Sequence, residues 1–266
     1  MTLFLKNFGS VVRRFMLAAV VAYGCLAQAN AVNAQAQAQA PADNKSKTAW
    51  HGDLALGLSV TQGNSKTLTS HGSASATKLL TADEFRLGVE GTYGLNNFGA
   101  SNETRNAENV HGLADYKHLF SDRFFGDLNL DVYHDDVADI QRREMVGPSV
   151  GYYLIKSDAS RLNGMVGANY VHLRQNHSDT DFFTAHLGER GEHLFSKTAK
   201  VWEEVNYYPK VDNFAQYLLT AEAGGEAAMN SRLSLRVVFQ DRYNSKPAPG
   251  KVPNDLAIIS ALVWKY

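Results

Sequence analysis

From residue 48 onward, apolar and polar side chains alternate with a period of two. Trp50, Leu54, Leu56, Leu58 and Val60 fall on one parity, with Gly52 among them; His51, Asp53, Ala55, Gly57, Ser59 and Thr61 fall on the other. Alternation of this kind describes a strand with one apolar and one polar face. It recurs in Phe85, Leu87, Val89, Gly91, Tyr93 and Leu95 against Arg86, Gly88, Glu90, Thr92 and Gly94. Leu233, Leu235, Val237, Phe239 and Tyr243 alternate with Ser234, Arg236, Val238, Gln240 and Arg242, and the last segment sets Leu256, Ile258, Leu262, Trp264 and Tyr266 on one face. Twelve such segments read as strands, near 49–62, 67–80, 85–96, 107–119, 123–134, 143–156, 161–173, 182–194, 199–208, 214–228, 232–244 and 254–266. No stretch among them carries the 3.6-residue period of an amphipathic helix.

Strand length and connection length then separate two all-β architectures. Strands of soluble sandwiches usually run about 5–6 residues, whereas a tilted membrane-spanning strand needs about 9–11. Alternate connections are short: 81–84, 121–122, 157–160, 196–198 and 230–231. The intervening ones read as longer polar loops at 97–106, 135–142, 174–181, 209–213 and 245–253, with only the glycine-bearing turn 63–66 short among them. Tight turns on one side and long loops on the other are the pattern of an outer-membrane barrel, and the chain ends on an aromatic suited to its interfacial girdle. The expected fold is therefore all-β, a transmembrane antiparallel up-and-down barrel of about 12 strands. An even strand number puts both termini on the short-turn, periplasmic side.

The N-terminal segment follows a different rule. Lys6, Arg13 and Arg14 precede the apolar run Phe15 to Ala27, and small-residue exits follow at 29–31 and 32–34. This is the layout of a secretory signal peptide over 1–34; the run is shorter than the roughly 20 residues a helical anchor needs. Residues 35–47, rich in Gln and Ala, read as a disordered leader, leaving 48–266 for the barrel. Composition matters only after this division. The 266 residues are 44% hydrophobic and 20% charged with net charge −1, and mean hydropathy is slightly negative, which superficially fits a soluble domain. Residues 1–34 hold three Lys/Arg and no Asp/Glu, so the exported chain is more acidic, at −4. Neither value implies attraction to nucleic acid. The single cysteine, Cys25, lies in the expected signal peptide, and one cysteine excludes a disulfide framework or multi-cysteine metal site.

With the strands placed, some segments acquire a likeness. Trp50-His51-Gly52-Asp53-Leu54-Ala55-Leu56-Gly57-Leu58-Ser59-Val60-Thr61-Gln62-Gly63-Asn64-Ser65 resembles the opening of the YdiY-type salt-induced outer-membrane proteins. Tyr133 to Arg143, followed by Gly147 to Tyr152, resembles that family's central acidic-to-arginine segment, and Tyr207-Tyr208-Pro209 resembles a later one. The resemblance spans roughly 48–266. It implies an outer-membrane barrel and a link to salt or osmotic stress, and it supplies no catalytic residue or ligand.

Candidate chemistry is sparse. On the polar parity, Asp53, Arg86, Glu90, Asp127, Asp131, Glu222, Arg236 and Arg242 are expected to face the lumen, with Asp115, Lys117, Arg190, Glu192 and Glu204 also on that parity. Such charges either set the selectivity of a small-solute pore or fill a structural barrel with pairs. Asp135, Asp136 and Asp139 offer oxygen ligands in a long loop, without the glycine and spacing of an EF-hand; they read as loop contacts for cations that bridge lipopolysaccharide. Gly147-Pro148-Ser149-Val150-Gly151 matches the G-x-S-x-G nucleophile pattern but sits in a strand, where the required strand–turn–helix elbow is missing. His134, His172 and His177 lie near loop ends, and no serine–histidine spacing marks a pair. A barrel-borne lipid hydrolase is therefore the alternative, and a non-enzymatic barrel without cofactor is the expectation. The expected partners are outer-membrane lipid and lipopolysaccharide, periplasmic chaperones and the barrel assembly machinery, with no nucleic acid.

Overall fold

The computed structural model describes residues 49–61 and 66–266. The expected signal peptide, the leader and most of the 63–66 turn lie outside the described residues. Twelve strands follow in order: β1 (Trp50–Thr61), β2 (Thr67–Leu79), β3 (Asp83–Asn96), β4 (Thr104–Leu119), β5 (Phe124–Asp135), β6 (Ile140–Lys156), β7 (Ser160–Gln175), β8 (Ser178–Leu194), β9 (Ala199–Lys210), β10 (Asn213–Ala228), β11 (Leu233–Asn244) and β12 (Asn254–Lys265). Each pairs antiparallel with its sequence neighbours, and β1 pairs with β12 to close the barrel. The all-β, 12-stranded antiparallel barrel expected from the alternation is the fold.

The period-two pattern decides the two faces. In β6, odd-numbered residues from Arg143 to Tyr153 are buried, while Val146, Val150, Tyr152 and Leu154 are exposed. Leu56, Leu58 and Ile258 are more than 70% exposed. A soluble monomer rarely leaves contiguous apolar surface of more than a few hundred Å², so an apolar band running round the barrel fits lipid rather than water. Aromatics bracket the band. Trp50, Phe120, Phe124, Phe195, Trp264 and Tyr266 are exposed near the short-turn end, and Tyr93, Phe98, Tyr170, Phe183 and Phe214 near the other. These are the two girdles of an outer-membrane-type barrel.

The connections depart from the sequence expectation on one side. The short turns are 80–82, 120–123, 157–159, 195–198 and 229–232. Opposite them, among the connections described in full, only 97–103 and 245–253 are long; the other three are 136–139, 176–177 and 211–212. The supposed 174–181 loop is the tip of a hairpin, because β7 and β8 run on in register from Tyr170↔Phe183 to Gln175↔Ser178. Asn176 and His177 turn it with φ of 50° and 60°, the left-handed pair a two-residue hairpin turn demands. Polar residues there belong to strands that have left the apolar layer. Strand propensity persists, while the need for an apolar outer face ends.

The closing seam is the shortest ladder. It runs from Asp53↔Lys265 to Leu56↔Leu262, extended by reciprocal backbone bonds between Gly52 and Tyr266 at 3.3 and 3.1 Å. Just beyond it, Gly57 lies so near the Ser260 carbonyl that a Cβ would come within 2.4 Å.

Candidate functional site: the charged lumen

The inward parity lines a cavity of ≈ 560 Å³. Asp53, Arg86, Glu90, Asp127, Asp131, Glu222, Arg236 and Arg242 all lie on its wall, as do Asp115, Lys117, Arg190, Glu192 and Glu204. Charges of opposite sign sit beside one another because neighbouring strands bring them to the same level. Arg86 on β3 is the register partner of Asp115 on β4, and its Nε donates to Asp115 Oδ2 at 2.7 Å. Arg190 on β8 meets Glu204 on β9. Trp202 donates its indole N–H to Glu222 at 2.7 Å.

Several contacts leave the wall and cross the interior. Arg236 on β11 donates to Glu226 on β10 at 2.9 Å and to Asp53 on β1 at 3.2 Å, so it passes over β12. Arg242, also on β11, donates to Glu90 on β3 at 3.0 Å and to the Tyr133 hydroxyl on β5 at 3.4 Å. In a ring of twelve, β5 and β11 are six strands apart; the Arg242–Tyr133 contact therefore spans the full diameter. Around it, His111 places Nε2 2.5 Å from Asp131 and Nδ1 3.3 Å from Glu90, and Arg143 donates to Asp131 at 3.4 Å. The result is a crossbar of charged and phenolic side chains across the lumen.

The three loop aspartates do not converge. Asp135 is buried, accepting from the Tyr133 hydroxyl at 2.6 Å and the Ala138 N–H at 2.8 Å. Asp136 faces Arg105 at 3.7 Å and His134 at 3.3 Å, while Asp139 accepts from Gln141 at 2.5 Å. Among the described residues no three His, Cys, Asp or Glu side chains group as a metal site would require.

The structure does bring a serine and a histidine together, where sequence spacing gave no pair. Ser149 donates to His186 Nδ1 at 3.0 Å when His186 Nε2–H donates to Asn206 Oδ1, 2.9 Å away. The 37-residue separation hides the pair, although Ser149, Gly167 and His186 are successive register partners on β6, β7 and β8. The trio has the membership of an acyl-transfer triad but not its access. Ser149 is 4% exposed, is not among the residues lining the cavity, and has its Oγ seated where a Gly167 Cβ would be only 2.2 Å away. Acyl transfer needs an attackable hydroxyl and N–H groups aimed at the developing oxyanion. Here the Ser149 position is laddered to both Asp127 and Gly167.

Arg143, Thr184, His186, Asn206, Tyr208 and Lys210 also face inward, and the sequence reading did not single them out. Their signal was present in parity: Arg143, Met145 and Ser149 alternate with Val146, Val150 and Tyr152.

Two solved structures share this architecture. One, described as the NanC porin, superposes with a TM-score of 0.50 at 6% identity, covering 81% of this chain and 98% of its own. The other, the COG4313 outer membrane channel from Pseudomonas putida F1, gives 0.50 at 8% identity, covering 89% and 100%. At such identities the likeness is one of fold. No curated protein sequence matches. A family model, described as "Protein of unknown function, DUF481", matches residues 54–266.

Proposed function

We propose, taking as premise that the chain belongs to the DUF481 family and folds as an outer-membrane-type barrel, that it is a narrow channel for ions and small solutes in the bacterial outer membrane. The observation that carries this reading is the charged cavity interrupted by the Arg242–Tyr133 crossbar. A purely structural barrel needs a filled interior, whereas this one keeps ≈ 560 Å³ of space walled by both signs of charge. About 12 strands lie between filled eight-stranded barrels and open porins of 16–18, and rings of charged side chains set selectivity in such pores. The crossbar is the constriction.

The same chemistry gives a rationale for a role in salt or osmotic stress. Ion pairs in a wet lumen weaken as ionic strength rises and the Debye length contracts, so the constriction loosens in salt. Lipid and lipopolysaccharide surround the apolar band, and periplasmic chaperones and the barrel assembly machinery deliver the chain. The exposed Asp136 carboxylate is placed to meet the divalent cations that bridge lipopolysaccharide. We infer that the Ser149–His186–Asn206 trio stitches β6, β8 and β9 together and that the protein is not a lipid hydrolase, since the serine hydroxyl is enclosed. No step in this reading calls for a cofactor.

Planar-bilayer recording of the refolded protein tests the channel. Small, steady conductance is expected, rising several-fold in Arg242→Ala. Silence of both proteins at high loading would refute the channel and leave a structural barrel.

A further inference from the structure

Above the crossbar, at the end of the barrel bearing the longer connections, a second cavity of ≈ 190 Å³ opens beside the charged lumen. The two share Arg143, Met145, Tyr208 and Leu218 on their walls. Their chemistry differs sharply. The lumen below mixes acids and bases, whereas the residues around the upper cavity include three cations, Arg143, Lys210 and Lys246, and no carboxylate. The remaining wall is largely apolar, with Met145, Val171 and Phe182 in consecutive register on β6, β7 and β8.

Two polar atoms on this wall lack partners. Arg143 is only 9% exposed, and its Nε is buried with no hydrogen-bond partner; its Nη2 holds Asp131 at 3.4 Å and its guanidinium lies over the Tyr133 ring at 4.8 Å. Thr184, 3% exposed, has a buried Oγ1 that is likewise unpartnered. A buried donor left unsatisfied costs about 1–3 kcal/mol, more when charged, so the protein's own groups leave this wall incompletely paired. Thr184 is the register partner of Lys210, whose ammonium sits 5.3 Å over the Phe182 ring and 3.3 Å from the exposed Asp212 carboxylate, which lies off the cavity wall. Cation, hydroxyl and apolar wall thus occupy adjoining strands.

We propose that this cavity is a binding subsite for a small organic monocarboxylate, its carboxylate held by Arg143 and Lys210 and its apolar body against Met145, Val171 and Phe182. A water needs only about 10–15 Å³ of such space, so the cavity admits far more than one water, yet it falls below the range of about 300–1,000 Å³ typical for drug-sized ligands. A single ring or short chain fits that interval. The apolar wall disfavours a bare inorganic anion, and the absence of acid from the wall disfavours a cation. This inference rests on the channel reading, where the subsite would concentrate its solute at the mouth of the constriction.

Binding to the folded barrel in detergent micelles tests it separately from conductance. Calorimetric titration with benzoate, with benzyl alcohol as its neutral counterpart and inorganic phosphate as the anion without an apolar body, is expected to show binding by benzoate alone. Arg143→Gln is expected to weaken it at least ten-fold. Lys210→Gln, which leaves the Arg143–Asp131 pair intact, is expected to weaken it several-fold, with heat-dependent gel mobility confirming that both variants fold. No benzoate binding at millimolar concentration, equal binding of benzyl alcohol or phosphate, or unchanged affinity in both folded variants would overturn the subsite. Loss of benzoate binding with conductance intact would leave the channel standing.

Discussion

Replacing Arg236 with methionine should destabilise the barrel more than any surface change. The guanidinium serves two carboxylates at once. It donates to Glu226, whose side chain is 2% exposed, and to Asp53, whose side chain is 20% exposed. Removing one partner of a buried pair costs about 3–5 kcal/mol, chiefly because the other charge stays buried and uncompensated. Lys265 still reaches Glu226 after the change, which places the expected loss near the lower bound, ~3 kcal/mol. That is roughly a 100-fold fall in the folding constant. Urea titration of the protein refolded into short-chain lipid vesicles would measure it. Tryptophan emission and heat-dependent gel mobility provide independent readings, since Trp202 lies only 5.9 Å from the Arg236 guanidinium and its emission can change for local reasons. The double variant Arg236→Met, Glu226→Gln leaves a neutral amide in place of the stranded carboxylate and should recover ~1 kcal/mol or more, a coupling within the range of contacting residues. A single-variant loss below ~1 kcal/mol, or a double variant no more stable than the single, would refute the reasoning.

Other expectations follow from local geometry. His177→Gly relieves a left-handed φ at the second turn position of the β7–β8 hairpin and should stabilise by about 0.5–1 kcal/mol in the same titration; a loss would show that the side chain, not the turn, matters there. Ser149→Ala removes the bond to His186 and should cost about 0.5–1.5 kcal/mol without altering phospholipid release from vesicles; hydrolysis by the wild type that this substitution abolishes would overturn the non-enzymatic reading. In a Cys25→Ser background, Lys251→Cys in the 245–253 loop should react with a bulky impermeant maleimide on whole cells, whereas Asp158→Cys in the 157–159 turn should not. The reverse pattern would invert the orientation.

The fold was legible because a barrel wall imposes a strict two-residue rule that the sequence must carry openly. The segments around Leu54–Val60 and Leu233–Tyr243 read directly as strands with correct faces. Hairpin tips were harder. Outside the lipid layer a strand no longer needs an apolar face, so Arg174 and Asp179, paired across β7 and β8, look like loop residues in sequence. The interior was legible only by side of the wall. Parity marks Arg242 as inward but says nothing of Glu90 and Tyr133 on distant strands, because contacts across a lumen depend on barrel diameter and axial level. Ser149 and His186 illustrate the same loss across a single intervening strand. Asp135 shows the converse: an acidic loop run looked like cation chemistry, yet the first of its carboxylates serves the turn and a tyrosine.

The seam between β1 and β12 gives the barrel a mechanical asymmetry. A closed cylinder carries outward load as hoop tension, shared equally by every strand boundary. Nine or more register pairs resist it at each of the other boundaries, whereas β1 and β12 meet over four. Any rupture under swelling or bilayer thinning therefore starts along one line fixed in advance. Arg236 lies across that line from the inside, tying β11 to β1 over the back of β12. Here a lumenal charge acts as a clasp, set at the boundary least able to hold without it.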